Sequence, residues 1–167
     1  EDLNGASNTT ITASATNLND ELKLAMTGNA GELGTQITGF DKITITDAAA
    51  GNTATTLNLS AYATAVTIDA SALDATDAAL TVTGSSATKS ITYTGSAGAD
   101  IISGSSLVGD NISTGTGNDS ITATAGNNTI DAGAGVDTID AGTGKDHIKG
   151  GAGNDIIKGA AQIKADD

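Results

Sequence analysis

The chain has 167 residues and a formal charge of −13, with no cysteine, no proline, no tryptophan, one phenylalanine and two tyrosines. Its length suits one domain of ordinary size. The charge argues against nucleic acid or an anionic membrane surface as partner, the missing cysteines exclude disulfides, and no apolar run approaches the length of a membrane span. An acidic chain with so few large apolar side chains sits near the disordered class, so a fold needs stability from another source.

In chain order, the first strand signal is Leu22-Lys-Leu-Ala25. A helix over Asn19 to Met26 is its rival, because Glu, Leu, Lys, Ala and Met all favour helix. Apolar–polar alternation of the half-buried strand kind comes next at Ile43–Thr46, Leu57–Ser60, Val66–Asp69, Leu80–Thr83 and Ile91–Thr94. The first and third of these start 23 residues apart, as do the second and fourth. Leu22 lies 21 residues before Ile43 and fits a preceding coil. These spacings predict Thr/Ala/Asn-rich, two-strand solenoid coils over residues 1–94, aligned by their starts and stacked directly on the segment that begins at Gly95. Phe40, Tyr62 and Tyr93 read as core or coil-corner packing. Asp47, Asp69, Asp74 and Asp77 read as solvated turn residues, with metal ligation the second reading.

From Gly95 to Lys158 run seven near-copies of a nine-residue unit: GSAGADIIS, GSSLVGDNIS, TGTGNDSIT, ATAGNNTID, AGAGVDTID, AGTGKDHIK and GGAGNDIIK. Only the second carries an extra residue. Each has an isoleucine near its end, at 102, 112, 121, 130, 139, 148 and 157. The sixth position is Asp100, Asp110, Asp119, Asn128, Asp137, Asp146 and Asp155, with Asn128 the one departure from a carboxylate. Glycines at the second and fourth places permit turn conformations closed to other residues and let carbonyls approach an ion. The x-Ile-x after the turn predicts a very short strand with the isoleucine inward and its neighbours outward. One buried side chain per unit stabilises nothing alone, so the units must stack. A short polar tail, 159–167, remains, with Ile163 placed to fold back on the last coil.

Residues 95–158 resemble the RTX family, whose GGxGxDxUx units bind calcium and whose members leave the cell by type I secretion. The resemblance implies an all-β, right-handed parallel β-roll or β-helix solenoid with calcium ions in the turns between coils, two units to a turn. Like positions then recur about 18 residues apart. One edge stacks Asp100, Asp119, Asp137 and Asp155, and the other Asp110, Asn128 and Asp146. Carboxylates stacked at strand spacing repel unless a cation lies between them. A hard ion with six or more oxygen ligands suits carboxylates plus turn carbonyls, and one histidine without cysteine leaves zinc no ligand set. The expected cofactor is therefore Ca2+, several ions. Carbonyls near Gly98, Gly115, Gly117, Gly133, Gly135, Gly142, Gly144, Gly151 and Gly153 would complete the coordination. The Asn128 edge, each site short of one carboxylate, is expected to bind weakly or not at all.

The remainder of the chain, with stretches such as Thr38–Asp47 (TGFDKITITD), is similar to the coils of bacterial RTX-type surface-layer proteins. That resemblance implies a calcium-dependent structural module of a secreted, cell-surface protein, a subunit that folds and assembles where calcium is abundant. Other copies of the chain are the expected partner, a surface glycan is a further candidate, and direct membrane insertion is not expected. Residues 159–167 are too short for the family's carboxy-terminal export signal, so the chain reads as a piece of a longer protein. The alternatives are the RTX tail of a type I secreted enzyme or toxin, and an adhesin or ice-binding segment. Thr114–Asp119 resembles the repeat of calcium-dependent ice-binding adhesins, but neighbouring units do not repeat its Thr-x-Asn pair. No catalytic set is visible, and the chain reads as a non-enzyme. His147 is its one histidine, at an outward-facing place, and Gly142-Thr-Gly-Lys145 fails as a phosphate loop because Asp146 succeeds the lysine.

Overall fold

A computed structural model describes residues 11–12, 20–26, 37–47, 55–59, 64–77, 79–85, 87–160 and 164–165. These residues form strands and no helix. The early strands are β1 (Ile11–Thr12), β2 (Glu21–Met26), β3 (Ile37–Thr38), β4 (Lys42–Asp47), β5 (Thr55–Asn58), β6 (Val66–Asp69), β7 (Leu80–Thr83) and β8 (Ile91–Thr94). The nine-residue units supply β9 (Ile101–Ser103), β10 (Asn111–Ser113), β11 (Ser120–Thr122), β12 (Thr129–Asp131), β13 (Thr138–Thr143), β14 (His147–Lys149) and β15 (Ile156–Ala160), and β16 (Lys164–Ala165) comes last.

Even-numbered strands from β2 to β16 form one eight-stranded sheet and odd-numbered strands from β5 to β15 a six-stranded one, each in chain order. Every described pairing is parallel, including a separate β1–β3 pair. The chain thus alternates between two walls, coil upon coil, in a β-solenoid of about 6 turns. The two walls face each other across a narrow core. One row registers Ile43, Ile68, Tyr93, Ile112, Ile130 and Ile148. The other registers Leu57, Val82, Ile102, Ile121, Ile139 and Ile157.

The short strands follow the period-two pattern: Ile112, Ile121 and Ile148 are buried between exposed neighbours. Each fully buried isoleucine contributes roughly 1.5–3 kcal/mol, and only when flanked by the coils above and below. Earlier coils bury more per strand, with Ile43 and Ile45 on β4 and Ile91 and Tyr93 on β8. Phe40 and Tyr93 are core residues as expected, while Tyr62 and Ile163 lie outside the described residues. The extra residue of the second unit falls in the turn between Gly104 and Gly109, where Leu107 projects into solvent at 66 % exposure.

Two sequence expectations are resolved by pairing. Glu21–Met26 is a strand, not the rival helix, because β4 offers it a six-residue parallel partner with Leu22 opposite Ile43 and Leu24 opposite Ile45; tertiary pairing outweighs local helix propensity. Alignment of the early coils by their starts is corrected by two residues. Ile43 pairs with Ile68 rather than Val66, and Leu57 with Val82 rather than Leu80. A slip of two preserves which side chains face inward, so hydrophobic pattern sets the face while the intervening turn sets the register.

Candidate metal centre

Each unit opens on a small residue, most turn on glycines at the second and fourth places, and each then commits the side chain of its Asp or Asn inward. Gly115, Gly133, Gly142 and Gly151 at the second place, and Gly117, Gly135, Gly144 and Gly153 at the fourth, all have positive φ. Gly133 shows why glycine is needed: φ is 93°, and a Cβ there would land on the Gly115 carbonyl of the preceding coil. Turns stack so closely that backbone bonds join them, with Ala134 N donating to Gly115 O at 2.9 Å and Ala152 N to Gly133 O at 2.8 Å.

The sixth side chains stack in the order the spacing predicts. On one edge Asp100 N donates to Asp119 Oδ1 (2.8 Å), Asp119 N to Asp137 Oδ1 (2.8 Å) and Asp137 N to Asp155 Oδ1 (3.0 Å). On the other, Asp110 N donates to Asn128 Oδ1 (2.9 Å) and Asn128 N to Asp146 Oδ1 (2.9 Å). From Asp110 onward, the first oxygen of each side chain thus caps the backbone of the coil before it. Sequence reasoning missed this role, for which the constancy of an acceptor at the sixth place, Asn128 included, was the available signal.

The second oxygens separate the two edges. Oδ2 of Asp119 and Oδ2 of Asp137 are buried with no hydrogen-bond partner. Asp110 Oδ2 instead accepts from Ser105 N at 2.7 Å, and Asn128 carries a donor at that place. At the top of the first edge Asp100 is satisfied locally, by Ser96 N on Oδ2 and Ser96 Oγ on Oδ1, both at 3.0 Å. Ser96 stands where most later units have glycine.

Asp100, Asp110, Asp119, Asp137 and Asp146 are all buried, and Asp155, nearer the end, is half-buried. Among the described residues no lysine pairs with any of them; the ion pairs Lys42–Glu21 and Lys149–Asp131 lie on the outer faces. Burial pushes the Asp100 carboxyl up to about 6, with the Asp119 charge adding to the rise and Ser96 opposing it. Burial likewise raises Asp110, Asp119 and Asp137; the Thr114 hydroxyl opposes the rise at Asp119, and the charges of Asp119 and Asp155 add to it at Asp137. Tyr93, a core residue, is pushed up by burial and then by the neighbouring Asp100 and Asp119.

Buried carboxylates without counter-charge are costly. The arrangement fits a cation that takes one oxygen each from stacked aspartates and fills its remaining positions with turn carbonyls. No three acidic, His or Cys side chains converge among the described residues, so backbone carbonyls must supply most of any coordination shell. The Asn128 edge does not present this fit. Of the earlier aspartates, Asp69 and Asp74 act in turns, accepting from Ser71 Oγ at 2.7 Å and Thr76 Oγ1 at 2.6 Å. Asp77 departs from the solvated reading: it is buried, and its Oδ2 accepts from Asp74 N at 2.9 Å.

The fold and these turns define a parallel β-roll of nonapeptide coils with carboxylates stacked along its edges. Residues 92–106, 109–139 and 133–162 match the family model of the RTX calcium-binding nonapeptide repeat, in four copies. Such repeats bind calcium and are typical of secreted proteins. No curated protein and no solved structure matches the chain. No helix among the described residues is long and apolar enough to cross a membrane.

Proposed function

We propose that the chain is a calcium-dependent structural module of a secreted cell-surface protein, a surface-layer subunit that folds and assembles on meeting extracellular calcium, and not an enzyme. One observation carries the calcium part: Asp119 Oδ2 and Asp137 Oδ2 are buried without partner on the edge where every sixth residue is a carboxylate. Asp100, Asp119, Asp137 and Asp155, with carbonyls of the glycine turns, are the residues that would hold the ions. Bound calcium would supply the positive charge and the oxygen-accepting coordination positions that these groups lack. Without it, the stacked carboxylates of Asp100, Asp119, Asp137 and Asp155 and the net charge of −13 oppose closure of that edge. The surface-layer part draws on the similarity of the Thr/Ala/Asn-rich coils to that class. It also draws on the open sheet edges at β2, β5, β15 and β16, each paired on one side only among the described residues.

Circular dichroism of the chain with chelator and with millimolar calcium tests the proposal. A large gain of β signal with calcium is expected. The same β spectrum in both conditions would overturn it.

A further inference from the structure

Where Asp119 and Asp137 each place a buried oxygen without a hydrogen-bond partner of good geometry, Asn128 places an amide nitrogen with acceptors around it. Its orientation is fixed by the backbone. Asp110 N donates to Asn128 Oδ1 at 2.9 Å, and the reversed amide would set one donor against another. The nitrogen therefore points to the next coil and its own turn, donating to Asp146 Oδ1 at 2.9 Å, Gly126 O at 3.2 Å and Ala141 O at 3.3 Å. Two carbonyls and a carboxylate thus gather around one buried group that carries hydrogen instead of a full charge.

The same unit holds a second departure. Thr124 occupies the second place, where the neighbouring units have Gly115 and Gly133. Its φ is 58°, and it is the one non-glycine residue with positive φ among the described residues. A β-branched side chain is disfavoured there. Its hydroxyl donates to Ser105 O of the coil before at 2.7 Å, with Gly104 O at 3.4 Å. Both departures in this unit put a donor from the chain onto oxygens of neighbouring turns, one toward each adjacent coil of the same edge.

We propose that the fourth unit, Ala123–Asp131, is a metal-free clasp. Asn128 Nδ2 and Thr124 Oγ1 engage the turn oxygens that a cation would otherwise gather, so the Asp110–Asn128–Asp146 edge closes without calcium. That edge holds the coils in register while the Asp100–Asp155 edge waits for its ions. The roll thereby has one edge that senses calcium and one that does not. The inference rests on the calcium reading of the other edge, and the experiment separates the two.

Amide hydrogen exchange of the whole chain is measured in chelator and in millimolar calcium, and bound calcium is counted by calorimetry for the parent and for Asn128→Asp. In chelator, the amides of Asp110 and Asn128 are expected to exchange at least tenfold more slowly than those of Asp100, Asp119 and Asp137. Calcium should protect the latter three. Asn128→Asp replaces the donor with an oxygen and should bind at least one more ion per chain. If that variant does not fold in chelator, its ion count at saturating calcium still decides. Equal exchange on the two edges in chelator, or an unchanged ion count in Asn128→Asp, overturns the clasp. A parent chain in which calcium protects neither edge overturns the calcium reading instead.

Discussion

The backbone N–H of Asp119 donates to Oδ1 of Asp137 at 2.8 Å across one coil, and Oδ2 of the same Asp137 is buried with nothing to bond. One carboxylate therefore does two jobs, a backbone cap with one oxygen and an unmet demand for positive charge with the other. The two jobs respond differently to substitution.

Asp137→Ala is expected to weaken calcium binding by at least about tenfold, equivalent to about 1.4 kcal/mol. Asp110→Ala removes the acceptor of Ile91 N and Ser105 N instead. It should lower stability by about 1–3 kcal/mol for the buried donors left unpaired, while calcium affinity changes little. Calorimetric titration beside thermal melts in calcium separates the effects. Equal affinity losses in the two variants would refute the difference between the edges.

Acid should move the chelated and calcium-loaded chains in opposite directions. Asp100 titrates at about 6 in the fold because it is buried, above the carboxylate value near 3.9 of an unfolded chain. The fold then binds more protons than the unfolded chain between those values, so without calcium its stability rises as pH falls through about 6. The raised Asp110, Asp119 and Asp137 act in the same sense. Protonation removes calcium ligands, so affinity for the ion falls over the same range. Circular dichroism in chelator and calcium titrations, each at pH 7.5 and about pH 5, check both arms. Loss of structure on acidifying the chelated chain would contradict the first.

Gly133→Ala should destabilise the loaded roll by at least about 1–3 kcal/mol, the cost of an L-residue held at a disfavoured φ. The added methyl also meets the Gly115 carbonyl, so the turns cannot stack as closely. Chemical denaturation in saturating calcium gives the value. A neutral result would mean that the turn spacing relaxes freely.

Ile121→Ala should cost about 2–5 kcal/mol, since the side chain is buried with Ile102 and Ile139 registered on either side. Ile157→Ala should cost clearly less, because Ile157 is only partly buried and belongs to the last strand of its sheet. Thermal melts of the two variants in calcium give the comparison, and equal losses would mean that the final coil is packed as tightly as the middle.

Light scattering against calcium concentration tests assembly. The chain is expected to be monomeric in chelator and to form dimers or larger arrays as calcium closes the coils and presents their open edges. A strictly monomeric species at millimolar calcium and high protein concentration would favour the RTX tail of a secreted enzyme over a surface-layer subunit.

Period together with the family resemblance was enough to read the solenoid. Isoleucine and carboxylate recur at constant places in units of nine residues, and with the two units to a turn that the resemblance implies, the stack aligns Ile102 with Ile121 and Asp119 with Asp137. In the early coils the alternation at Ile43–Thr46 and Val66–Asp69 marked strands and their inward faces but left the register open by two. A shift of two changes no side chain's face, and only turn geometry and the packing of β4 on β6 chose Ile68 over Val66 as the partner of Ile43. Glu21–Met26 had helical composition, and its strand exists because a partner strand lies beside it. At the edges, composition named the carboxylates and singled out Asn128. Which oxygen caps a backbone, which is left without a partner, and that the Asn128 amide finds acceptors in the next coil are contacts between residues 18 apart. Such contacts exist only once the coils are stacked, because hydrogen bonding acts over about 3 Å and the extended chain holds those groups far beyond it.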